Sequence, residues 1–239
     1  MNSAINKSKR KTYVQTLKQY LQSYNTTAVI WMDESNCNLF ITRKQGRSLV
    51  GARANYVRCT SKGPNVHIIA GLWMEGFVHY ERRRGSNTKQ SVHDFMQNLV
   101  AAAVATERGR RVETIVIVLD NAREHLGIED RDFSAVDDGK NIVFLKLGPY
   151  SHLLNPIELA WSQVKSNIKR TLKTKLRHLE NPPPTLTQGE HKLRVMEKAI
   201  DDAMVAPFAP DLFQATGFIS HVSRYYDVCE DLQDLVELT

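Results

Sequence analysis

The sequence predicts an α/β protein built on a mixed sheet with flanking helices, and three observations carry that expectation. Strand-like apolar runs crowd the first part of the chain, at 28–33, 37–42, 66–73 and 76–80, with turn signals such as Gly63-Pro64-Asn65 between them. From residue 89 onward helical and strand-like patterns alternate. Two runs, Ala28-Val29-Ile30-Trp31-Met32 and Thr114-Ile115-Val116-Ile117-Val118-Leu119, are apolar without interruption, the pattern of strands buried on both faces.

Each element follows from its local pattern. Residues 1–27 read as a basic leader or linker: Lys7-Ser8-Lys9-Arg10-Lys11, then a short helical pattern through Leu17 and Leu21. A solvated segment, a nuclear-import signal and a DNA-backbone contact all suit it. Segment 89–106 is expected to be a helix with Val92, Phe95, Met96, Leu99 and Ala103 as its core stripe. Strand 114–119 leads into a short helix or loop at 122–128. The strand Ile142-Val143-Phe144-Leu145 precedes a Gly148-Pro149-Tyr150 turn and a helix from Asn155 to about 175. That helix carries Ile157, Trp161, Val164, Ile168 and Leu172 at helical spacing, a face for the sheet. Pro182-Pro183-Pro184 marks the edge of the main domain, taken as 28–178. A helical extension over 179–239 follows, with helices near 188–204 and 217–236.

Bulk properties narrow the function. The chain has 239 residues, is 42% hydrophobic and 24% charged, and holds no apolar stretch of bilayer length, so no membrane partner is expected. No secretory signal pattern appears at the N-terminus. The three cysteines, Cys37, Cys59 and Cys229, are widely spaced without a CxxC pair, which suits a reducing compartment. A net charge of +6 favours a polyanionic partner.

Three carboxylates stand in settings that suggest a divided metal site. Asp33 ends the first apolar run, Asp120 ends the run at 114–119, and Glu158 lies in Asn155-Pro156-Ile157-Glu158 at a helix start. If the two strands lie parallel and adjacent, Asp33 and Asp120 emerge together at their carboxyl ends, where open α/β sheets place their sites. Paired carboxylates repel unless a cation joins them, and hard oxygen ligands favour Mg²⁺ or Mn²⁺. Two ions about 3.5–4 Å apart suit in-line phosphoryl transfer. Each acid also has a plain structural reading. Asp33 and Asp120 suit strand-ending turns. Glu158 suits the third position of a capping box behind Asn155 and Pro156. Glu34 is a rival ligand, but strand alternation points it to the other face.

The segments Trp31-Met32-Asp33-Glu34-Ser35, Asp120-Asn121-Ala122-Arg123-Glu124-His125 and Pro149-Tyr150-Ser151 through Leu154-Asn155-Pro156-Ile157-Glu158 resemble the DDE transposases of the Tc1/mariner and IS630 superfamily. Gly46-Arg47 with Gly51-Ala52-Arg53, and the Lys62-Gly63-Pro64 turn, are also similar; the resemblance covers roughly 28–172. It implies a ribonuclease H-like fold with a five-stranded mixed sheet. It further implies a metal triad of Asp33, Asp120 and Glu158 holding Mg²⁺ or Mn²⁺ as two ions, with hydrolysis at transposon ends and strand transfer into target DNA. Thirty-seven residues lie between Asp120 and Glu158, on the longer side of the family's spacing. Two departures stand out. His152-Leu153 replaces the family's Pro and acidic residue after Tyr-Ser. The family's paired helix-turn-helix modules precede the catalytic domain, whereas 27 residues precede Ala28 here, so the expectation is a catalytic fragment or a remnant of an element, without terminal-repeat recognition.

Further residues are assigned supporting roles. Asn121 is expected to fix the turn after Asp120, and His125, in the family's DNA-x-x-H pattern, either approaches the metal or phosphate or is structural. Arg82-Arg83-Arg84 reads as a basic loop, for DNA or simply solvated. Lys165, Lys169, Arg170 and Lys173, with Lys175 and Arg177, form the best set for a phosphate backbone. The expected partner is DNA, with a homodimer left open and no small-molecule cofactor. A eukaryotic host would place the protein in the nucleus and a bacterial one in the cytoplasm. Two rival functions remain: a domesticated, catalytically silent DNA- or protein-binding domain, and an RNA–DNA hybrid ribonuclease on the same fold.

Overall fold

The two uninterrupted apolar runs become the centre of the sheet. The computed structural model describes residues 2–38, 48–53, 65–175, 179, 181–205 and 215–236. Five strands, β1 (Thr27–Cys37), β2 (Val66–Trp73), β3 (Gly76–Arg84), β4 (Thr114–Leu119) and β5 (Asn141–Lys146), lie in the order β3-β2-β1-β4-β5. The β1–β4 and β4–β5 pairs are parallel, while β1–β2 and β2–β3 are antiparallel, so the sheet is mixed as expected. Alternation of side chains splits the core in two. Ala28, Ile30, Met32, Ile115 and Ile117 face α2 (Lys89–Ala105), which a short α3 (Glu107–Arg111) follows. Val29, Trp31, Val116 and Val118 face the larger layer, formed by α1 (Ala4–Gln22), α4 (Ile157–Thr174), α5 (Gln188–Met204), α6 (Ala215–Ser223) and α7 (Tyr226–Glu230).

Several boundaries differ from the sequence reading, each for a physical reason. The expected leader is a 19-residue helix that buries Tyr13, Val14 and Leu17, each contributing about 1.5–3 kcal/mol. Its basic cluster is partly used internally: Arg10 is 1% exposed, and Lys7 pairs with Asp234 at 2.6 Å. Lys18 pairs with Glu230 at 2.6 Å, tying α1 to α7. The helix before residue 28 thus packs on the same core as the strands that follow it. The C-terminal helices share that core, through Leu193, Met196, Phe218 and Tyr226 among others. The expected last helix at 217–236 is broken into α6 and α7 by a turn at Arg224 and Tyr225. The expected strand at 37–42, the Gly46-Arg47 and Lys62-Gly63-Pro64 motifs and Arg177 fall wholly or largely outside the described residues. Among those described, no helix is long and apolar enough to cross a membrane.

Glycine 148 permits the docking of α1. A Cβ there would lie 2.7 Å from Arg10 Cγ and 3.1 Å from Arg10 Cα, so a side chain meets backbone as well as a flexible stem. Gly148→Ala is expected to lower the unfolding free energy by about 1–3 kcal/mol, as overpacking does elsewhere. Urea denaturation checks this; an unchanged midpoint would mean that α1 docks loosely.

Candidate active site

Parallel pairing brings the two aspartates together. The register sets Trp31 against Val118, and the same offset carries Asp33 level with Asp120, one residue past the end of β4. The expectation that strand β1 ends at Asp33 is not met. The polar stretch Glu34-Ser35-Asn36 continues the strand because its other edge pairs with β2, from Asp33↔Ala70 to Cys37↔Val66. Asp33 thus sits on a rigid strand that overhangs its shorter neighbour, and the notch beyond β4 is the crevice that open α/β sheets use for ligands.

Glu158 arrives from α4. Its expected capping box does not form. Pro156 is already in a helical conformation (φ −64°, ψ −23°), and among the described residues no side chain caps the helix. Asn155 keeps its side-chain oxygen buried and without a hydrogen-bond partner among the described residues. The Glu158 amide bonds only the Asn155 carbonyl oxygen, at 3.2 Å, and its exposed carboxylate receives no hydrogen bond among the described residues. The carboxylate is therefore free for the cleft of about 650 Å³ that Glu158 lines with Asp33, Asp120, Asn155 and Tyr150.

The electrostatics of the two aspartates diverge. Burial, reinforced by the charges of Glu158, Glu34 and Asp120, pushes the Asp33 carboxyl up to about 7, although a backbone amide works the other way. The indole Nε1 of Trp161 donates to Asp33 Oδ2 at 3.2 Å. Asp120 is held below the usual carboxylate range, first by its bond with His125 and also by the amide of Ala122, which donates to Oδ1 at 2.8 Å. His125 is 1% exposed and lies between two carboxylates, Nδ1 at 2.8 Å from Asp120 Oδ1 and Nε2 at 2.9 Å from Glu34 Oε1. Burial disfavours its charge, but the two carboxylates outweigh this and lift its pKa to about 10. The ring is an imidazolium at neutral pH, with both nitrogens donating. Asn121 donates from Nδ2 to the Leu147 carbonyl at 2.6 Å, which pins the turn after β4 to the chain leaving β5.

The donor set fits a hard divalent cation. All three acids supply oxygen, the like charges that raise Asp33 would be relieved by a cation, and the unpartnered Asn155 oxygen adds a neutral acceptor on the same wall. Among the described residues no three acids or histidines are gathered at ligand distance, so the carboxylates share the cleft without being drawn together.

The predicted cations divide into two groups. Arg82-Arg83-Arg84 is not a loop but the end of β3. Alternation turns Arg82 and Arg84 onto α5, where Arg82 meets Asp201 at 2.8 Å and Arg84 meets Glu197 at 2.7 Å and Glu190 at 3.2 Å. Those two arginines fasten the C-terminal helix to the edge strand, and Arg83 alone is left without an ion pair among the described residues. On α4, Lys165 and Lys169 fall on the face of Glu158 and make no ion pair among the described residues, as is also true of Arg170 and Lys173. Four features escaped the sequence reading: Trp161 as a donor to Asp33, Glu34 as the partner of His125, and Lys9 and Tyr150 as walls of the cleft. Strand alternation did foretell that Glu34 faces away from Asp33; nothing local could show what meets it there.

Known proteins place these features in a family. The model for DDE superfamily endonucleases matches residues 28–179. No curated protein matches the chain. Among solved structures, the pre-cleavage Mos1 transpososome is similar with a TM-score of 0.61 at 15% identity, over 98% of this chain and 65% of that one. The Mos1 strand transfer complex is similar at 0.62 and 16%, over 98% and 64%. The catalytic domain of the Mos1 mariner transposase is similar at 0.54 and 14%, over 97% and 96%. The chain thus spans 65% of the transposase chain in the first of these complexes, and the likeness establishes a ribonuclease H-like fold. Because the family match takes in most of the chain and all three acids, this protein belongs to the DDE superfamily endonucleases.

Proposed function

We propose that the chain is the catalytic domain of a transposase-type DNA endonuclease and strand transferase, in which Asp33, Asp120 and Glu158 hold two Mg²⁺ or Mn²⁺ ions. The observation that carries this reading is the shared cleft: two level aspartates on parallel strands and an uncapped glutamate on α4. The solved Mos1 complexes that contain Mg and Mn support it. When bound, the ions supply Lewis-acid stabilisation of charge on the scissile phosphate and a more acidic attacking water or 3′-hydroxyl. The chain's own groups do the positioning. β1 fixes Asp33, with Trp161 orienting one of its oxygens, and the Glu34–His125 pair fixes Asp120. Lys165 and Lys169 extend the cleft along a phosphate backbone. A nuclear setting and a homodimer belong to the same proposal for a eukaryotic host.

One observation favours the silent, DNA-binding alternative: the acids are not gathered at ligand distance. Nicking of supercoiled plasmid separates the two. The full chain is expected to nick in Mg²⁺ or Mn²⁺ and not in EDTA. Salt-sensitive binding without cleavage in either metal, and no metal-induced thermal shift, would assign the chain to the silent class.

A further inference from the structure

We propose that the nucleic-acid strand leaves the acidic cleft along α1, with a phosphate against Lys9 and the hydroxyls of Thr12 and Thr16, and with one unpaired base stacked on Tyr150. This subsite deepens the endonuclease reading and rests on it. A second cavity of about 410 Å³ adjoins the acidic cleft and shares Lys9, Asn121, Gly148 and Pro149 with it, so the two form one groove. Its outer wall is a single face of α1, where Ser8, Thr12 and Thr16 recur at every fourth residue. The opposite side of the helix is packed into the core, so this face is presented rigidly to the groove.

Charge and aromatic exposure identify the occupant. Lys7 and Lys18 on the same helix are paired with Asp234 and Glu230, whereas Lys9 is exposed and has no carboxylate partner among the described residues. An unpaired cation at the rim of a triacid cleft suits a bridging phosphate, which is repelled by the acids and needs a counter-charge beside them. The Ser8 and Thr16 hydroxyls offer neutral donors to phosphate oxygens, and the Thr12 hydroxyl, which donates to the Ser8 carbonyl at 3.2 Å, would turn from that bond to add another. Tyr150 stands at the mouth of the cleft, 64% exposed, with its backbone in the left-handed region at φ 55°. Such a conformation is strained for a tyrosine, and residues held this way concentrate at functional sites. An exposed aromatic face beside a phosphate path is the platform on which unpaired bases stack. Lys165 and Lys169 follow Glu158 along α4, so cations stand both on the helix that carries Glu158 and on α1 at the rim of the cleft.

Fluorescence anisotropy in Ca²⁺ tests the subsite on the full chain, with a labelled duplex ending in a short oligothymidine overhang and a blunt duplex as comparison. Lys9→Ala is expected to weaken overhang binding about 3- to 10-fold and to reduce the slope of log K against log salt by roughly 0.7 to 0.9, one phosphate's worth. Tyr150→Leu is expected to weaken it about 5- to 100-fold while leaving the blunt duplex nearly unchanged, and Tyr150→Phe to retain the affinity. Tyr150→Gly guards against misfolding: it relieves the strained backbone, so it should hold or raise the unfolding temperature while still losing the overhang preference. The charge control Lys198→Glu, on α5 outside both cavities, should bind like the parent. If the parent nicks DNA and binds the overhang but the Lys9 and Tyr150 variants bind it equally well, the subsite is wrong and the endonuclease reading stands. A parent that neither binds nor nicks in Mn²⁺ overturns both.

Discussion

Asp33→Asn is expected to reduce metal-supported DNA nicking by about 10³-fold and, in the metal-free protein at pH 8, to raise stability. The first effect follows from the place of Asp33 in the donor set. Loss of cation-based stabilisation of the scissile phosphate is worth several kcal/mol, and about 1.4 kcal/mol is a factor of ten in rate. The second follows from the cost of its charge. Burial and the neighbouring Glu158 and Glu34 carboxylates raise the Asp33 carboxyl from 3.8 to about 7. Asparagine keeps an oxygen to accept from Trp161 Nε1 but carries no charge to bury.

The pH dependence has a definite sign. Below pH 4 both folded and unfolded states hold the Asp33 proton, and the group contributes no difference. Between about 4 and 7 the unfolded chain releases the proton while the folded chain retains it, so this group lowers stability as pH rises. Above 7 the penalty is constant, about 2–4 kcal/mol. The gap between the variant and its parent should therefore be absent near pH 4, open through neutrality and stay open at pH 8. Mg²⁺ or Mn²⁺ should close it by stabilising the parent alone. Thermal unfolding at pH 4.5 and 8, with EDTA and with Mn²⁺, measures all four conditions. Parallel curves for the two proteins would remove Asp33 from the site's electrostatics.

How far the sequence foretells this site depends on how local each signal is. The parallel core of β1 and β4 was legible because burial on both faces leaves uninterrupted apolar runs, and the level placement of Asp33 and Asp120 followed from it. The extension of β1 through Asp-Glu-Ser-Asn was not, because the hydrogen bonds of β2, not apolar side chains, sustain that strand. Arg82 and Arg84 resembled a loop because their partners are carboxylates more than 100 residues away on α5. For α1, a narrow stripe of Tyr13, Val14 and Leu17 lay hidden in a basic helix, and the contacts that fix it come from β5, Gly148 and α7. Glu158 was ambiguous on its local pattern alone, and only the geometry of Pro156 removes the capping role. Long-range pairing is the common element in what was missed. Short-range periodicity cannot report which charged face meets which.

His125 supplies the largest expected loss of stability. Replacing it by alanine removes a buried imidazolium and leaves Glu34 and Asp120 facing a cavity and each other's charge. Breaking a buried pair by deleting one member costs about 3–5 kcal/mol. Asp120 is half-exposed, so water answers part of the loss, and about 2–4 kcal/mol is expected at pH 6. The folded-state pKa of His125, raised from 6.5 to about 10, makes its contribution complete below 6.5 and progressively lost as pH rises to 10. The lowered Asp120 carboxyl acts at the other end: its contribution is present above the ordinary carboxylate range and fades as pH falls below it. The deficit of His125→Ala should therefore be greatest between about pH 5 and 6.5 and shrink toward pH 10. His125→Gln, which is uncharged and carries both its donors on one nitrogen, should lie between. A purely structural ring would lower stability and leave ion affinity in the folded protein unchanged. A ring that orients Asp120 should also weaken Mn²⁺ binding about 10- to 100-fold by titration, since partners behind metal ligands act on this scale. Glu34→Gln should reproduce part of that weakening from the far side of the ring. A double variant with His125→Gln should then lose less than the two single changes combined, because both act through one carboxylate. If Mn²⁺ affinity is unchanged in folded His125→Gln and Glu34→Gln, the buried pair serves the fold alone and Asp120 is positioned by its backbone turn.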